Sequence, residues 1–439
     1  MATPKTVRVT TSDSGVYSAG PREDAAKTAS ELLQDDLMRH HVFFNDMHFH
    51  NHLVHHVLSM YALGAAPEVI KAGYDRNKSY QRPVLPTRGE VVRSMGDKAA
   101  FKAAMGTEEN YPNFLAFFQQ EIEKRGIGSV LKEYLFSRDQ CAESMLSRLF
   151  GGLIHPFIHL GFGIEFNQPA IVAEGLAQAA VHDDYMGPKF LFPAEQAAEG
   201  AGGSGTTTML QLLEEARADQ KLAGSAHWSD GNKIGGVLTR AVDEMVKCAS
   251  RFKVSEDQLQ EKMVETIDVV AYFTSAAQRP SKEIKFDFFL MHTLNATLFL
   301  PSFLALPDLD ISSKVRLLEW KGRLDLLFYV SRGTPELHLD EITKYKPSRD
   351  WKAIFAQTTE NAQDDGHASK LARALAHGEQ VSRPFEAQAR QKGLMITGDM
   401  WLKIGNMVAD SIADPHRSLW VRSAGFDEAW TEFRDRARL

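Results

Sequence analysis

The spacing of apolar residues along this chain is that of α-helices. From about residue 25 onward, apolar positions recur every three or four residues, which places them on one face of a helix. This spacing is clear in ELLQDDLMRHHVFF, NFLAFFQQEIEKRG and KVRLLEWKGRLDLLFYV. Alternating patterns typical of strands are scarce, and no hairpin turn separates two β-branched runs. The pattern predicts an all-α protein in which the helices pack in a bundle-like fold.

Two stretches interrupt the helical pattern. Residues 1–24 are mostly polar and have no regular spacing, which predicts a flexible N-terminal tail. The run AEGAGGSGTTT at 198–208 is rich in glycine, serine and threonine, and it predicts a mobile loop at about 194–208. Because no internal repeat is present, we expect residues 25–439 to form one large all-helical domain.

Composition excludes several classes of partner. Of the 439 residues, 44% are hydrophobic and 24% are charged, as in ordinary globular proteins, and the net charge is −7. Acidic and basic residues are mixed along the chain without a basic block, so no nucleic-acid partner is expected. The two cysteines, Cys141 and Cys248, are too few for a disulfide framework or a thiolate zinc cluster, and they suit a reducing compartment.

The most apolar segment is FDFFLMHTLNATLFLPSFLAL at 286–306, which approaches the length of a membrane span. Polar residues within it, Asp287, His292 and Asn295, favour a buried core helix over a membrane helix. The first twenty residues lack the apolar stretch of a secretory signal. We therefore expect a cytoplasmic protein with no membrane partner.

Four histidines lie within eight residues in FHNHLVHH at 49–56. The pattern predicts a helix over 49–63, on which His52 and His56 lie one turn apart at the border of the apolar face. Such a pair can present both rings to one metal ion. The alternative is that each histidine is buried and bonded to a backbone carbonyl, which is the commoner situation for a single histidine.

A second pair, His155 and His159, occurs in GGLIHPFIHLGFGIEF, again four residues apart. Pro156 interrupts the helical pattern because the residue before proline avoids the α-helical conformation. One interpretation therefore places His155 at the end of one helix and His159 in the next. His292 is a third candidate: Phe288, Phe289 and Phe299 surround it in the sequence, which predicts that its ring is buried.

The segment DDGHASKLARALAHGE at 364–379 predicts a helix that Asp364 or Asp365 caps and that presents His367 and Lys370 on one face. Asp364 is also placed to orient the His367 ring. A lysine ammonium has no lone pair and cannot bind a metal. A buried Lys370 would have a lowered pKa, and its neutral amine could add carbon dioxide to give an anionic carbamate ligand. The sequence alone favours the alternative, a solvent-exposed lysine.

Common catalytic and cofactor motifs are absent. The chain has no pair of Glu-x-x-His motifs for a di-iron bundle, no HExxH and no P-loop or GxSxG motif. GFG at 161–163 begins a GxGxxG pattern, but Phe166 stands at its third glycine, so no nucleotide-binding fold is expected. Histidine-rich coordination without thiolate suits iron, copper, manganese or zinc. The many phenylalanines near these histidines predict an apolar cavity for a flat ligand.

Several segments together resemble one known family. They are FHNHLVHHVLSMYALGA, YDRNKSYQRP, GGLIHPFIHLGFGIEF, KFDFFLMH, VRLLEWKGRLDL and DGHASKLARALAHGEQ. In these motifs the chain resembles the questin oxidase-like family of fungal secondary metabolism, from about residue 30 to 435. The resemblance implies oxidative opening of the central ring of an anthraquinone, with an aromatic polyketide and O2 as substrates. Some members are associated with NADPH and Baeyer–Villiger chemistry, whereas ring-cleaving members resemble mononuclear non-heme iron oxygenases that contain a carboxylated lysine.

The resemblance also implies which residues form the site. Its metal-binding positions correspond to His52, His155, His292, His367 and, as a carboxylated lysine, Lys370, with Fe(II) as the metal. His56 and His159 are the alternative ligands, and otherwise one of them is the catalytic base. The incomplete glycine motif counts against tightly bound NADPH or flavin. Two other functions stay open, a carrier of aromatic polyketides and a zinc hydrolase, as do the choice between monooxygenase and dioxygenase and the oligomeric state.

Overall fold

A computed structural model of the chain describes residues 1–200 and 207–436. Helices dominate both ranges, which confirms the prediction of an all-α protein. The helices before the gap are α1 Glu23–Arg39, α2 Leu53–Ala62, α3 Pro67–Lys78, α4 Gly89–Ser94, α5 Lys98–Ala104, α6 Tyr111–Arg125, α7 Ile127–Leu131, α8 Gln140–Leu149, α9 Gly151–Glu165, α10 Pro169–Val181 and α11 Phe192–Gly200. Those after it are α12 Met209–Ala218, α13 Gln220–Ala223, α14 Lys233–Arg240, α15 Val242–Ala249, α16 Leu259–Ala276, α17 Phe288–Thr297, α18 Leu300–Leu304, α19 Ile311–Ser331, α20 Leu339–Thr343, α21 Trp351–Thr359, α22 His367–Ser382, α23 Ala389–Lys392 and α24 Met400–Ser411.

Strands are confined, in the described part of the chain, to a parallel pair of two-residue strands, β1 Phe286–Asp287 and β2 Trp420–Val421. Asp287 links this pair to α17. Its Oδ1 accepts hydrogen bonds from the backbone N–H groups of Phe289 and Leu290, which caps α17. Its Oδ2 accepts a third from Ala424 at 2.6 Å, just after β2.

The chain forms two compact units. Unit 1 consists of Met1–Gly187, Phe299–Ser313 and Thr359–Lys370, and unit 2 of Pro188–Leu298, Lys314–Thr358 and Leu371–Leu439. The backbone passes between the units five times, so neither unit is one continuous stretch of sequence. Among the described residues, none of the helices combines the length and hydropathy needed to cross a membrane.

Helices α9 and α10 of unit 1 lie in close contact because glycines separate them. A Cβ atom at Gly175 of α10 would lie 2.6 Å from the backbone N of Leu160 in α9. A Cβ atom at Gly163 would lie 2.5 Å from the backbone N of Val172. Both distances are too short for any side chain, so glycine at these positions allows the two helices to approach. This contact fixes the position of the histidines on α9.

The N-terminal residues differ from the predicted flexible tail, because backbone hydrogen bonds hold them to unit 1. The N–H of Val7 donates to Gln34 Oε1 at 2.8 Å, and the Tyr61 hydroxyl donates to the Thr10 carbonyl at 2.9 Å. Val7 and Val9 are both buried. Residues 1–24 look polar in sequence, but these few apolar residues and the main-chain groups are enough to anchor the segment.

The structure also differs in part from the prediction of a glycine-rich loop at about 194–208. Residues 194–200 belong to α11, which begins at Phe192. Ala194 and Ala198, one turn apart, are both buried, so this stretch has an apolar helical face that the following glycines obscure in sequence. Residues 201–206 of the predicted loop lie outside the described residues.

The buried His377 of α22 should make the stability of the fold decrease at acidic pH. Its ring is 2% exposed, and burial together with Arg373 lowers its pKa to about 3. The unfolded chain therefore binds a proton below its ordinary pKa of 6.5 while the folded chain does not, so stability decreases as pH falls from 6.5 towards 3. Urea unfolding at pH 7 and 5 should show that His377→Leu loses less stability on acidification than wild type, by about 2 kcal/mol.

His416, which is exposed, provides the matched control. His416→Leu shows how far a histidine-to-leucine substitution at an exposed position changes the unfolding free energy at the two pH values. An identical dependence in wild type and His377→Leu would show that the burial of His377 is not what makes the fold sensitive to acid.

Candidate metal centre

Three buried histidines of unit 1 come together from distant parts of the chain. His52, His155 and His367 each offer one ring nitrogen, and these three atoms lie within 4.8 Å of one another. The Nε2 atoms of His52 and His155 are 2.8 Å apart. All three residues were predicted as metal ligands, and the structure places them together. Their role as ligands stays a prediction.

His52 precedes α2 and is its N-cap residue, which corrects the predicted helix over 49–63. The side chain of Asn51 accepts a hydrogen bond from the backbone N–H of Leu53 at 2.9 Å, and this local bond competes with helix formation. As a result, His52 and His56 do not form an (i, i+4) pair on a helix. The Nδ1 atom of His52 contacts Asp365 Oδ2 at 3.1 Å, which leaves Nε2 directed at His155.

His155 follows a turn in which three consecutive residues, Gly152, Leu153 and Ile154, have positive φ angles of 50°, 55° and 63°. The right-handed helix resumes at His155, so His155 and His159 lie on the same helical segment, not on two helices. The helix is therefore interrupted at residues 152–154, before His155, and not at Pro156 as predicted. The Nδ1–H of His155 donates to the Gly152 carbonyl at 2.7 Å, which fixes the ring within the turn.

His367 is the first residue of α22, and two aspartates before it have separate roles. Asp364 caps the helix by accepting hydrogen bonds from the N–H groups of Ala368 and Ser369. Asp365 contacts Nδ1 of His367 as well as Nδ1 of His52. Asp364 was expected to orient His367, and the structure assigns that task to Asp365. Although burial opposes ionisation, both histidines hold the pKa of Asp365 well below its usual range.

The protonation of these rings makes the centre suitable for a metal ion. A carbonyl and a carboxylate can only accept, so the Nδ1 atoms of His155 and His52 carry the hydrogens and the Nε2 atoms carry lone pairs. Burial lowers the pKa of His52 to about 4, which keeps it neutral at physiological pH. Two lone pairs then face each other at 2.8 Å, and a cation between them relieves their repulsion. Carboxylate-supported histidines of this kind are typical of metal sites.

Lys370, three residues after His367, is fully buried, which contradicts the alternative of a solvent-exposed lysine. Its Nζ lies 3.1 Å from Nδ1 of His55. Burial lowers the Lys370 pKa to about 8, despite the opposing effect of Asp365 and Asp364. The His55 ring centroid lies 5.4 Å from that of His52, so His55 joins Lys370 to the three-histidine centre.

The two histidines predicted as alternative ligands or bases differ in their surroundings. The Nδ1 atom of His56 accepts a hydrogen bond from the Asn77 amide at 2.8 Å, so its Nε2 carries the hydrogen. His56 also packs against Gly366 (φ +104°), where a Cβ atom would lie 2.9 Å from its Cα. His159 Nε2, by contrast, lies 3.5 Å from Glu174 Oε2. Neither ring nitrogen of His159 has a hydrogen-bond partner among the described residues, which leaves a lone pair available.

His292 belongs to unit 2 and is not part of the group of three. It lies on α17, fully buried, as its phenylalanine-rich surroundings predicted. Its Nδ1–H donates to the carbonyl of Phe288 at 2.6 Å, so its Nε2 carries the lone pair. Its assignment as a ligand stays a prediction.

Sequence reasoning missed one further pair of histidines. The Nε2 atoms of His50 and His182 are 2.6 Å apart, and the His50 ring stacks on His155 with centroids 4.1 Å apart. A side chain at Gly152 would collide with both, since its Cβ would lie 2.3 Å from His182. His182 stands alone in QAAVHDDY, and no local spacing in the sequence connects it with His50.

Comparison with known proteins gives a consistent result. A family model described as questin oxidase-like matches residues 49–375. The Baeyer-Villiger oxidase ptaJ of Pestalotiopsis fici is 42% identical over 92% of this chain and 93% of its own length. The questin oxidase of Aspergillus fumigatus is 41% identical over 93% and 94%, respectively, and the Baeyer-Villiger monooxygenase AacuH of Aspergillus aculeatus is 35% identical over 93% and 90%.

All three relatives are named as oxidases or monooxygenases, which confirms the prediction of an oxidoreductase. The matches cover almost the whole chain and nearly the full length of each relative. This chain belongs to the questin oxidase-like family.

Proposed function

We propose that this protein is an iron-dependent oxygenase that opens the central ring of an anthraquinone-type polyketide with O2. The observation that carries the proposal is the pair of opposed Nε2 lone pairs of His52 and His155, with His367 beside them. Neutral imidazoles without thiolate suit iron, copper, manganese or zinc, and the resemblance to ring-cleaving oxygenases favours iron among them. The names of the relatives, questin oxidase and Baeyer-Villiger oxidase, support a ring ketone or quinone as the substrate.

The iron would be held by His52, His155 and His367, with His292 and a carboxylated Lys370 as further ligands. When bound, iron supplies the site with O2 binding and with electron transfer between substrate and O2. The protein's contribution is positioning. Asp365 holds two of the rings through their Nδ1 atoms, and the Gly152 carbonyl holds the third. These bonds fix the tautomers and place the lone pair of each ring on Nε2.

His159 is the residue best suited to take a proton from a substrate phenol. Its ring nitrogens have no hydrogen-bond partner among the described residues, and Glu174 at 3.5 Å stabilises the imidazolium that forms. His56 is less suited, because the hydrogen bond from Asn77 occupies the lone pair of its neutral ring. Deprotonation raises the electron density of the aromatic ring next to the carbonyl and prepares it for oxidation.

A Baeyer–Villiger monooxygenase is the second candidate, because relatives are named Baeyer-Villiger oxidase or Baeyer-Villiger monooxygenase. The two reactions differ in their balance of oxygen and electrons. Opening the central ring to a carboxylic acid and a phenol adds two oxygen and two hydrogen atoms to the quinone. A dioxygenase therefore acts on the two-electron-reduced hydroquinone of the substrate, places both atoms of O2 in the product and needs no further reductant. A monooxygenase places one atom in the product, reduces the other to water and consumes two electrons, for example from NADPH.

Turnover of questin under 18O2 tests the proposal. The iron-containing protein should consume O2 and questin that has been reduced chemically to its hydroquinone, without NADPH, and incorporate two 18O atoms in the ring-opened product. It should be inactive without O2 or after iron is removed with a chelator, and Fe(II) should restore it. One 18O atom with a strict need for NADPH would favour the monooxygenase. Anaerobic hydrolysis would favour a zinc hydrolase, and binding without turnover a polyketide carrier.

A further inference from the structure

Helix α10 carries a polar stripe inside an otherwise apolar sequence, PAIVAEGLAQAAV. Glu174 and Gln178 lie one turn apart on this helix, and they are 5% and 0% exposed. Within the described residues, neither the Nε2 nor the Oε1 atom of Gln178 has a hydrogen-bond partner, and the Oε2 atom of Glu174 also lacks one. The mechanism proposed above makes no use of Gln178.

Glu174, one turn before Gln178, lies next to the proposed base. Glu174 Oε2 is 3.5 Å from Nε2 of His159, whose two ring nitrogens are also without hydrogen-bond partners in the described chain. The His159 ring lies 5.2 Å from that of His55, and Phe162 stacks on His55 with centroids 5.3 Å apart. Buried donors and acceptors thus lie beside aromatic rings, one helical turn from His155.

A second buried glutamine shows what a purely structural amide looks like in the same unit. Gln168 is 1% exposed, and its Oε1 accepts from the N–H of Arg8 at 2.9 Å. Its Nε2 donates to the carbonyls of Arg8 and Phe166. Every group of Gln168 that can form a hydrogen bond is therefore paired. Leaving a buried amide unpaired is costly, so Gln178 differs from Gln168 in a way that indicates an external partner.

We propose that Gln178 and Glu174, together with His159, form the site that recognises the hydroxyl and carbonyl oxygens of a polyhydroxylated aromatic substrate. The Gln178 amide can donate to a carbonyl oxygen and accept from a phenol, and Glu174 can accept from a second phenol. The identity of the ligand rests on the proposed function. The existence of a polar ligand site rests only on the unpaired atoms, and water alone is the competing occupant.

Equilibrium dialysis with questin, without O2 so that no turnover occurs, tests this assignment. Gln178→Leu should bind questin roughly tenfold more weakly than wild type, since a hydrogen-bonding partner is lost. Its affinity for unsubstituted 9,10-anthraquinone, which has no hydroxyl groups, should change much less. The melting temperature should equal or exceed that of wild type, because two unpaired buried polar atoms are removed.

Gln168→Leu is the matched control. It should lower the melting temperature and leave the affinity for questin unchanged. If Gln178→Leu does not fold, Gln178→Asn, which shortens the side chain and keeps the amide, should show the same selective loss. Three results would overturn the proposal. Wild type and the Gln178 variant could bind questin equally well, the variant could lose the same affinity for both probes, or wild type could fail to bind questin. Binding without aerobic turnover contradicts the iron oxygenase and leaves this site in place.

Discussion

Replacing His367 with alanine should remove the metal and lower questin turnover by at least about 100-fold, since even residues that only support metal ligands cost 10- to 100-fold. His367 is 3% exposed and contributes one of three ring nitrogens that lie within 4.8 Å. His52→Ala, His155→Ala and His292→Ala should have the same effect. Elemental analysis of purified protein gives the metal content, and circular dichroism should show that the helices remain.

Asp365→Asn separates the roles of ligand and support. An asparagine can contact Nδ1 of His367 and His52 but no longer carries the charge that stabilises both N–H groups, so metal affinity should fall by about 10- to 100-fold without being abolished. The exposed His416→Ala should retain full metal content. Full occupancy in His367→Ala would show that the three-histidine group does not bind the metal.

The sequence predicts the helical fold because each helix carries its own apolar periodicity. It also predicts that individual histidines of the centre belong to a site, because a polar ring in an apolar helix must find a partner. The grouping of His52, His155 and His367 joins residues about 100 and 200 positions apart, and no helical spacing reports such distances. The resemblance to a family supplied this grouping, and the physical pattern alone left several sets open.

Local competition explains the errors near the centre. The apolar spacing over 49–63 predicted one helix, but the side chain of Asn51 bonds to the N–H of Leu53, and the helix begins there. Asp364 and Asp365 have the same side chain, so the sequence does not show that Asp364 caps the helix while Asp365 contacts the His367 ring. Gln178 has no hydrogen-bond partner among the described residues, and no spacing in the sequence indicates what it binds.

Lys370→Ala should lose metal and activity, and short carboxylates or bicarbonate should restore part of both. Lys370 is fully buried with its pKa near 8, so a sizeable fraction of its amine is neutral at physiological pH and can react with CO2. An ammonium at this position would repel a cation bound to the adjacent histidines, and an apolar interior screens that repulsion poorly. The carbamate replaces this repulsion with an anionic oxygen donor, and acetate in the space left by alanine would mimic it.

The source of the carbamate allows a second, independent measurement. After the metal is removed, reconstitution with Fe(II) in CO2-free buffer should fail for wild type, and added bicarbonate should restore it. With 13C-bicarbonate, loaded protein should show a carbamate signal that Lys370→Ala lacks. Lys344→Ala provides the control, because this lysine side chain is 78% exposed and should affect neither metal content nor rescue. If wild type takes up iron equally well without CO2, Lys370 acts as an unmodified amine, and its contact with His55 at 3.1 Å is then its main role.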